Sequence, residues 1–398
     1  MSSVRLLSSG QGLAWESLVD LVGADSACVP RVVLRDRISA VLVEEVPSPA
    51  ASILKQCMLA GGADALVHRE VLTCRIPASR AVVYGTPSAI LRGCNSLEGQ
   101  PFGLSDTGCE IRKLMKPDAL ADRLRVNNRN LIFTETPLVM GILNVTPDSF
   151  SDGGEFLSPE EAASKAVMME KAGADIIDIG GESTRPGSCA VSAKEQIARV
   201  IPVIEAIRNF TDVPLSIDTC LPEVAEAAIC KGAGMINCID GMETPGMAEL
   251  AVSLGVPVAV MHMKGIPETM QINPSYGDVS REVAHYLLSR VESLVNRGLS
   301  AGSILVDPGI GFGKRLEDNL SLLHSLEWIG LITGCRVLIG HSRKSFLKTI
   351  TGIELPDRRD SITHVVTSLV TGADMVRVHD VTGTVAALKL ALAIRRAL

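Results

Sequence analysis

The stretch GILNVTPDSFSDGG, residues 141–154, joins an apolar run to a long connection made mostly of Thr, Pro, Asp, Ser and Gly. A hairpin between two strands needs only about two to five loop residues, so this connection is too long for one. Polar, glycine-rich loops that follow a buried strand often fold over a ligand and exclude water from it. The stretch therefore predicts a buried strand that ends at a functional loop.

Similar apolar runs follow along the chain, separated by segments with the periodicity of amphipathic helices, such as 159–173 and 281–298. The runs are VMGILNV (139–145), DIIDIGG (175–181), PLSIDT (214–219), MINCID (235–240), PVAVMHM (257–263), ILVDPGI (304–310), RVLIGHS (336–342) and MVRVHD (375–380). Continuous apolar strands separated by helices indicate a parallel sheet covered on both faces. Eight such units in about 260 residues predict a (β/α)8 TIM barrel. The alternative, a doubly wound open sheet, is disfavoured because no GxGxxG turn follows the first strand.

Residues 1–125 lack this regular alternation and are predicted to form a small α/β domain of unknown role. Strands are predicted at 38–46 and 81–85, and helices at 50–59, 87–91 and about 110–116. Residues 126–136 are predicted to be a linker and 137–398 the barrel, giving an α/β protein of two domains.

Composition excludes several classes of function. Only 3% of residues are aromatic, so aliphatic side chains must form the core, and the net charge of −7 comes without a basic patch that would bind nucleic acid. No apolar run reaches the length of a membrane span, and the N-terminus lacks the apolar core of a signal peptide. The ten cysteines are scattered without a CxxC pair, which argues against structural zinc and disulfides. We therefore expect a cytoplasmic protein with neither a nucleic-acid nor a membrane partner.

A polar residue lies at or near the end of every predicted strand. These are Asn144, Asp178, Asp218, Asn237, His262, Asp307, the group Ser342, Arg343 and Lys344, and His379. Any single one of them is more often a helix cap. Because a barrel carries its active site at the C-terminal ends of its strands, the whole set predicts one site.

The residue types at these positions indicate the ligand. Asp218, Asn237 and Asp307 offer hydrogen-bond acceptors that suit a planar heterocycle with N–H edges. Asn144 and Asp178 offer oxygen atoms that suit Mg²⁺ bound to a diphosphate or triphosphate. Positive charge comes from Arg185, Lys344, Arg377 and His379.

The predicted barrel resembles dihydropteroate synthase over its whole length, with matching segments in the order of that family. The segments are MGILNVTPDSFSDGG (140–154), DIIDIGGESTRPG (175–187), SIDT (216–219), IN (236–237), MHMKGIPETMQ (261–271), DPGIGFGK (307–314), SRKSF (342–346) and RVHDV (377–381). The two loop segments and SRKSF are highly specific. Two positions depart from the resemblance: Cys238 stands where Asp is frequent, and Ile310 where Phe is frequent. Residues 1–125 look like the extension of some longer bacterial and archaeal members.

The resemblance implies a transferase of folate biosynthesis that joins 6-hydroxymethyl-7,8-dihydropterin diphosphate to 4-aminobenzoate. It implies Mg²⁺ as cofactor, sulfonamides as inhibitors and a homodimer. It places the pterin at Asp218, Asn237, Asp307 and Lys344, the diphosphate at Asn144, Asp178, Arg377 and His379, and the metal at Asn144. It places 4-aminobenzoate at Phe312 and Ser345, with Thr184, Arg185 and Pro186 closing over the diphosphate and aminobenzoate. The residues expected to act in catalysis are Asp218, Asp307, Lys344, Arg377 and His379.

Two alternative functions share parts of this pattern. A pterin-binding methyltransferase domain would use the same acceptors but needs no apparatus for a diphosphate, so GGESTRPG and SRKSF favour the synthase. A non-catalytic paralogue would be expected to have lost charged or loop residues, and here each key position is occupied.

Overall fold

A computed structural model describes residues 38–115, 120–145, 158–182, 190–267 and 269–396. Contacts divide the chain into two compact units, one made mainly of residues up to Ala119 and one of Leu120–Leu392. The division between these units lies a few residues before position 125, the predicted end of the first domain.

The first unit is a three-stranded antiparallel sheet with helices, as the predicted small α/β domain requires. Its elements are β1 Ser39–Pro47, α1 Ser48–Gly61, β2 Asp64–Val67, β3 Ala78–Gly85, α2 Pro87–Asn95 and α3 Leu104–Met115. Leu54, Met58 and Ile90 are fully buried in its core. Strand β2 was not predicted, because it is a short edge strand with only Ala65 buried, and its apolar run is only three residues long.

The second unit is a closed barrel of parallel strands in which the last strand pairs with the first and completes the circle. The strands are β6 Leu138–Asn144, β7 Ile176–Gly180, β8 Leu215–Asp218, β9 Met235–Cys238, β10 Val258–Met261, β11 Ile304–Asp307, β12 Arg336–Ile339 and β13 Met375–Val378. Seven of these strands lie within the predicted apolar runs, and β6 begins one residue before its run. The predicted TIM barrel is therefore confirmed, and the open-sheet alternative is wrong.

Helices cover the outside of the barrel. They are α4 Pro159–Ala172, α5 Ala193–Arg208, α6 Pro222–Cys230, α7 Met247–Leu254, α8 Val279–Asn296, α9 Leu316–His324, α10 Leu326–Thr333, α11 Ser345–Thr351, α12 Asp360–Leu369 and α13 Val381–Arg396. Helix α4 shows how sequence sets their ends: Ser158 and Glu161 form a reciprocal capping box, and Gly173 ends the helix in a left-handed conformation. Within the described ranges, no helix combines the length and apolar character needed to cross a membrane.

A β-hairpin, β4 Arg123–Val126 and β5 Arg129–Ile132, lies against the N-terminal ends of the barrel strands. Leu124, Val126 and Leu131 share one apolar cluster with residues that begin the barrel strands, including Ile176 and Met235. The stretch 126–136, predicted to be a linker, therefore starts inside β4 and contains β5. Its sequence looks polar because the exposed residues of the hairpin alternate with the buried ones.

Candidate active site

The strand register aligns the C-terminal ends of four neighbouring strands, β6 to β9, in one row. Asn144 pairs with Gly180, Gly180 with Asp218, and Asp218 with Asn237. Gly180 has no side chain, and the Asn144 Oδ1 atom lies 3.4 Å from the position that a Cβ atom there would occupy. Asp178 belongs to the row beneath, where it pairs with Ile142 and Ser216, and this depth explains its complete burial.

Arg377 on β13 connects the carboxylates of the two rows. Its Nε atom donates to Asp178 Oδ2 and its Nη2 atom to Asp218 Oδ2, each at 2.6 Å. Asn237 Nδ2 donates to the same Asp178 oxygen at 2.9 Å. Asp178 Oδ1 has no hydrogen-bond partner among the described residues. Asp178 therefore holds Arg377 and Asn237 in position from below.

Two buried carboxylates share one guanidinium in this cluster, and burial dominates their electrostatics. Burial raises the pKa of Asp218 to about 7, although Arg377 opposes that shift. Burial also works against the charge of Arg377, yet Asp178 and Asp218 together raise the Arg377 pKa above its ordinary value. The cluster has more acceptors than positive charge, so it favours a ligand that presents N–H donors.

A second group surrounds Asp307 at the end of β11. Its Oδ1 atom accepts a hydrogen bond from Gly309 N at 2.7 Å, and burial raises the pKa of Asp307 to about 6. Lys344 Nζ lies 3.9 Å from the centre of the Phe312 ring. Burial, together with Arg377, lowers the pKa of Lys344 to about 8, while Asp307 and Asp218 favour its charge. Lys344 thus acts electrostatically on both carboxylates and links the two groups.

The glycine-rich loop after β11 lies close against the loop after β10. Gly309 has a φ of +69°, and a Cβ atom there would lie 2.0 Å from His262 O. Gly313 has a φ of +62°, and a Cβ atom there would lie 2.2 Å from Lys264 O. Only glycine satisfies both the backbone conformation and the close approach at these positions. This packing presents Phe312 beside Lys344.

Lys314 fastens the same loop from inside. It is 3% exposed, and its Nζ atom contacts His262 Nδ1 at 3.0 Å and donates to His262 O at 3.2 Å and Phe312 O at 2.9 Å. Burial lowers the pKa of Lys314 to about 7, and burial followed by the charge of Lys314 lowers the pKa of His262 to about 3. His262 is therefore neutral and accepts at Nδ1. Lys314 lies in the segment DPGIGFGK, but its position in the sequence predicts no role for it.

His379 lies just after β13 and is oriented by Ser342. The Ser342 Oγ atom accepts from His379 N at 3.2 Å and lies 3.0 Å from His379 Nδ1. Either atom can be the donor in the contact between Ser342 Oγ and His379 Nδ1, so Ser342 orients the His379 ring whichever tautomer the ring adopts. Ser345 begins helix α11, and Lys344 is its N-cap residue.

The remaining predicted site residues fall outside the described residues. They are Thr184, Arg185 and Pro186 in the second loop, and the opening loop from Thr146 to Gly154. The described part of the barrel brings together the other predicted residues as two groups joined by Lys344, with Asn144 and His379 at the same strand ends.

Comparisons with known proteins agree with this geometry. Residues 140–379 match the family model of the pterin binding enzymes. Dihydropteroate synthase of Escherichia coli K12 is 45% identical over 255 residues, which is 64% of this chain and 90% of that protein. The structure of Xanthomonas albilineans dihydropteroate synthase with 4-aminobenzoic acid has a TM-score of 0.64 and 43% identity, and covers 70% of this chain and 100% of that one. The Yersinia pestis enzyme in a sulfonamide complex has a TM-score of 0.65 and 41% identity, and covers 69% of this chain and 100% of that one.

The fold and the strand-end site thus define a pterin-binding barrel enzyme. The chain belongs to the dihydropteroate synthase family. The predicted synthase is confirmed over the methyltransferase alternative, since these relatives are synthases.

Proposed function

We propose that this chain condenses 6-hydroxymethyl-7,8-dihydropterin diphosphate with 4-aminobenzoate to give 7,8-dihydropteroate and pyrophosphate. It is a transferase of the dihydropteroate synthase type, acting in folate synthesis. The observation that carries the proposal is the buried cluster of Asp178, Asp218, Asn237 and Arg377, which lies in a barrel whose relatives are synthases.

The pterin is proposed to bind between the two groups of the site. Asp218 and Asp307 accept hydrogen bonds from its N–H groups. The side-chain amide of Asn237 forms a further hydrogen bond with the pterin, and Lys344 donates to a ring nitrogen or carbonyl oxygen. Asp218, Asn237 and Asp307 are buried at the strand ends, where few competing waters reach them, and Lys344 is half-buried. Carboxylates held against the ring also stabilise positive charge that develops on the pterin.

The diphosphate is proposed to bind at Arg377, His379 and Asn144. The guanidinium of Arg377 and the imidazole of His379, which Ser342 orients, supply N–H donors for phosphate oxygens. Asp178 is a weaker candidate for direct contact with the diphosphate, because its Oδ2 atom already accepts hydrogen bonds from Arg377 and Asn237. We assign it the role of positioning Arg377.

Mg²⁺ fits the residues present at this end of the site. Mg²⁺ is often held by one or two protein oxygens together with substrate phosphates and water. Asn144 offers a neutral oxygen at the end of β6, and its Oδ1 atom already faces the row that carries Asp218. When bound, the ion supplies neutralisation of the charge on the departing pyrophosphate.

The second substrate is proposed to bind on the Phe312 side. Phe312 offers an aromatic face beneath the Lys344 ammonium, and Ser345 stands at the start of α11. We propose that the loops carrying Thr146–Gly154 and Thr184–Pro186 cover both substrates. Sulfonamides are proposed to compete here, as the complex of the Yersinia pestis relative suggests.

The proposed reaction breaks the bond between the pterin methylene carbon and the diphosphate oxygen before the new bond forms. The conjugated dihydropterin carries the positive charge at that carbon, with Asp218 and Asp307 beside it. Once pyrophosphate has left with the electron pair of the broken bond, the arylamine nitrogen attacks the carbon and releases one proton to solvent. A cation of this kind reacts readily with water, which is the reason that covering loops are needed.

Two broader properties are proposed from the resemblance. We propose a cytoplasmic location, consistent with small-molecule substrates, and a homodimer. Light scattering on the purified protein tests the second, and a mass of a single chain contradicts it.

The test of the proposed function measures pyrophosphate released from the two purified substrates with Mg²⁺. We expect turnover by the wild type and near-total loss in Asp307→Ala, together with loss of pterin binding. Wild-type kinetics in Asp307→Ala would show that the pocket is assigned wrongly. A covalent pterin–protein adduct trapped during turnover would contradict the proposed dissociative reaction.

A further inference from the structure

Two thiols and a carboxylate meet beside the pterin pocket without a role in the reaction above. Cys220 follows β8, Cys238 ends β9, and Asp240 lies two residues further on. Cys238 Sγ is 3.5 Å from Cys220 Sγ and 2.8 Å from Asp240 Oδ1, and the three ligand atoms all lie within 4.8 Å of one another. Residues on neighbouring strand ends thus point three metal-ligating atoms at one place.

The carboxylate of this group is held in position by its own neighbours. Asp240 Oδ1 also accepts from Glu243 N at 3.3 Å, while Oδ2 accepts from Thr244 N at 3.1 Å and Thr244 Oγ1 at 2.5 Å. Hydrogen bonds of this kind orient metal-ligating carboxylates. Cys238 is fully buried at the end of β9, so two of the three ligands are fixed before any ion arrives.

The donor set selects the class of ion. Two sulfurs and one carboxylate oxygen suit Zn²⁺ or a similar borderline-soft cation, whereas Mg²⁺ prefers oxygen ligands alone. Two sulfurs bonded to tetrahedral zinc at about 2.3 Å lie about 3.8 Å apart, close to the separation of the thiols here. Cys220 is half-buried rather than enclosed, which gives an ion a path of entry and leaves a fourth position for water.

We propose that Cys220, Cys238 and Asp240 form a binding site for a Zn²⁺-like cation, separate from the Mg²⁺ of the reaction. Binding displaces the thiol protons from both cysteines and releases them to solvent. The ion then holds the segment after β8 to the segment after β9, the two strands that present Asp218 and Asn237.

The test uses Co²⁺, which reports thiolate ligands through a sulfur-to-metal charge-transfer absorption. The full-length protein is reduced with a phosphine, freed of metal and titrated with Co²⁺ in excess Mg²⁺, which saturates sites made of oxygen ligands. We expect the band to saturate at one equivalent in the wild type and to be absent from Cys220→Ser and Cys238→Ser. Thr244→Val, which removes the hydroxyl that holds Asp240, is expected to weaken binding about tenfold.

Matched controls separate this site from the other cysteines of the chain. Cys230→Ser removes an exposed thiol and Cys335→Ser a buried one, and both are expected to keep the band. A wild-type protein without the band, or a band of equal strength in Cys220→Ser and Cys238→Ser, would overturn the proposal. Because the test measures the absorption of the Co²⁺–thiolate complex, its result does not depend on synthase activity.

The coupling to the pterin pocket rests on the proposed function and has its own test. Zn²⁺ is expected to lower kcat/KM for the pterin substrate in the wild type and to leave Cys220→Ser unchanged. Equal inhibition of both proteins would show that Zn²⁺ acts elsewhere and would overturn the coupling. Absence of turnover without Zn²⁺ would instead contradict the proposed function.

Discussion

Arg377 is the only cation bonded to two buried carboxylates within the described part of the barrel, at 2.6 Å from each. Replacing it by Met keeps most of the side-chain volume but leaves Asp178 and Asp218 buried without the guanidinium that bonds both, while the Asn237 amide still donates to Asp178. We expect a loss of about 3–5 kcal/mol in the free energy of unfolding, measured by urea denaturation.

Two comparisons make the Arg377→Met result specific. Lys231→Met breaks an ion pair with Glu205 in which both side chains are half-exposed, and it is expected to cost less than about 1 kcal/mol. Adding Asp178→Asn to Arg377→Met removes one of the stranded charges and is expected to restore part of the stability. Equal costs for the buried and the exposed pair would contradict this account of the cluster.

The raised pKa of Asp307 predicts how pterin binding depends on pH. Since burial raises that pKa to about 6, Asp307 takes up a proton at a higher pH than an ordinary Asp and then no longer accepts two N–H donors. Affinity for 6-hydroxymethylpterin, which has no diphosphate to titrate, is expected to fall up to about tenfold per pH unit as Asp307 takes up its proton. This fall adds to the one caused by Asp218, whose pKa burial raises to about 7. Calorimetry between about pH 5 and 7.5 measures it.

The Asp307→Asn variant is the control for the pH dependence. It should bind the pterin weakly, and its affinity should lack the decline that begins near the Asp307 pKa. If wild-type affinity is constant across the range, Asp307 does not accept from the pterin as an ionised carboxylate.

Lys314 is expected to act on the second substrate through Phe312. Lys314→Met removes the hydrogen bonds to His262 O and Phe312 O, so Phe312 loses its fixed backbone position. The KM for 4-aminobenzoate should rise on the order of tenfold, while binding of 6-hydroxymethylpterin changes little. Steady-state kinetics and calorimetry give the two values. If the affinities for 4-aminobenzoate and for 6-hydroxymethylpterin fell by the same factor, the variant would have disordered the whole site.

The residues of the site differ in how well sequence predicts them. Asp218, Asn237, Asp307 and Arg377 are predictable because strands of a parallel barrel end on one face, so polar residues at those ends must converge. Lys314 is not, because its contacts depend on how a glycine-rich loop folds back onto the segment after β10. Its burial is a tertiary property that no local pattern encodes.

At the scale of elements, the loop after β11 tests whether close backbone packing is needed for function. Gly309→Ala places a methyl group 2.0 Å from His262 O in a left-handed backbone, so the loop must move away from β10. We expect near-total loss of turnover and a lower melting temperature.

Gly334→Ala is the matched control for Gly309→Ala. Gly334 ends α10 with a φ of +66°, and nothing lies within 4 Å of a Cβ atom there. Only the cost of the left-handed conformation remains, about 1 kcal/mol, and turnover should be unchanged. Normal turnover in Gly309→Ala would show that the contact with His262 is not needed.

The elements also show where prediction from sequence succeeds and fails. Barrel strands carry continuous apolar runs because both of their faces are buried, and all of them were predicted. The hairpin β4–β5 overlaps the predicted linker, 126–136, because RLRVNNRN (123–130) alternates polar with apolar residues and contains three asparagines. The role of the hairpin is clear only from the folded barrel, because Leu124 and Val126 pack against the N-terminal ends of the barrel strands.

At the scale of the whole molecule, the barrel and this hairpin together form one compact unit, Leu120–Leu392, whose residues contact mainly one another. The Xanthomonas albilineans structure is covered in full by about the same share of the chain. We therefore expect residues 120–398 to fold without the first unit and to retain the kcat of the full-length protein. Urea denaturation and pyrophosphate release measure the two properties.

A second truncation, residues 137–398, removes the hairpin as well and is the decisive comparison. It exposes the apolar N-terminal ends of the barrel strands to solvent by removing Leu124, Val126 and Leu131, which are each at most 7% exposed. At about 1.5–3 kcal/mol for each buried side chain, the loss is about 5–9 kcal/mol, which approaches the whole stability of a typical domain. This fragment should therefore be unfolded or aggregated while residues 120–398 remain folded. If both fragments fold equally well, the hairpin is a dispensable linker after all; if neither folds, the first unit is part of the folding unit of the barrel.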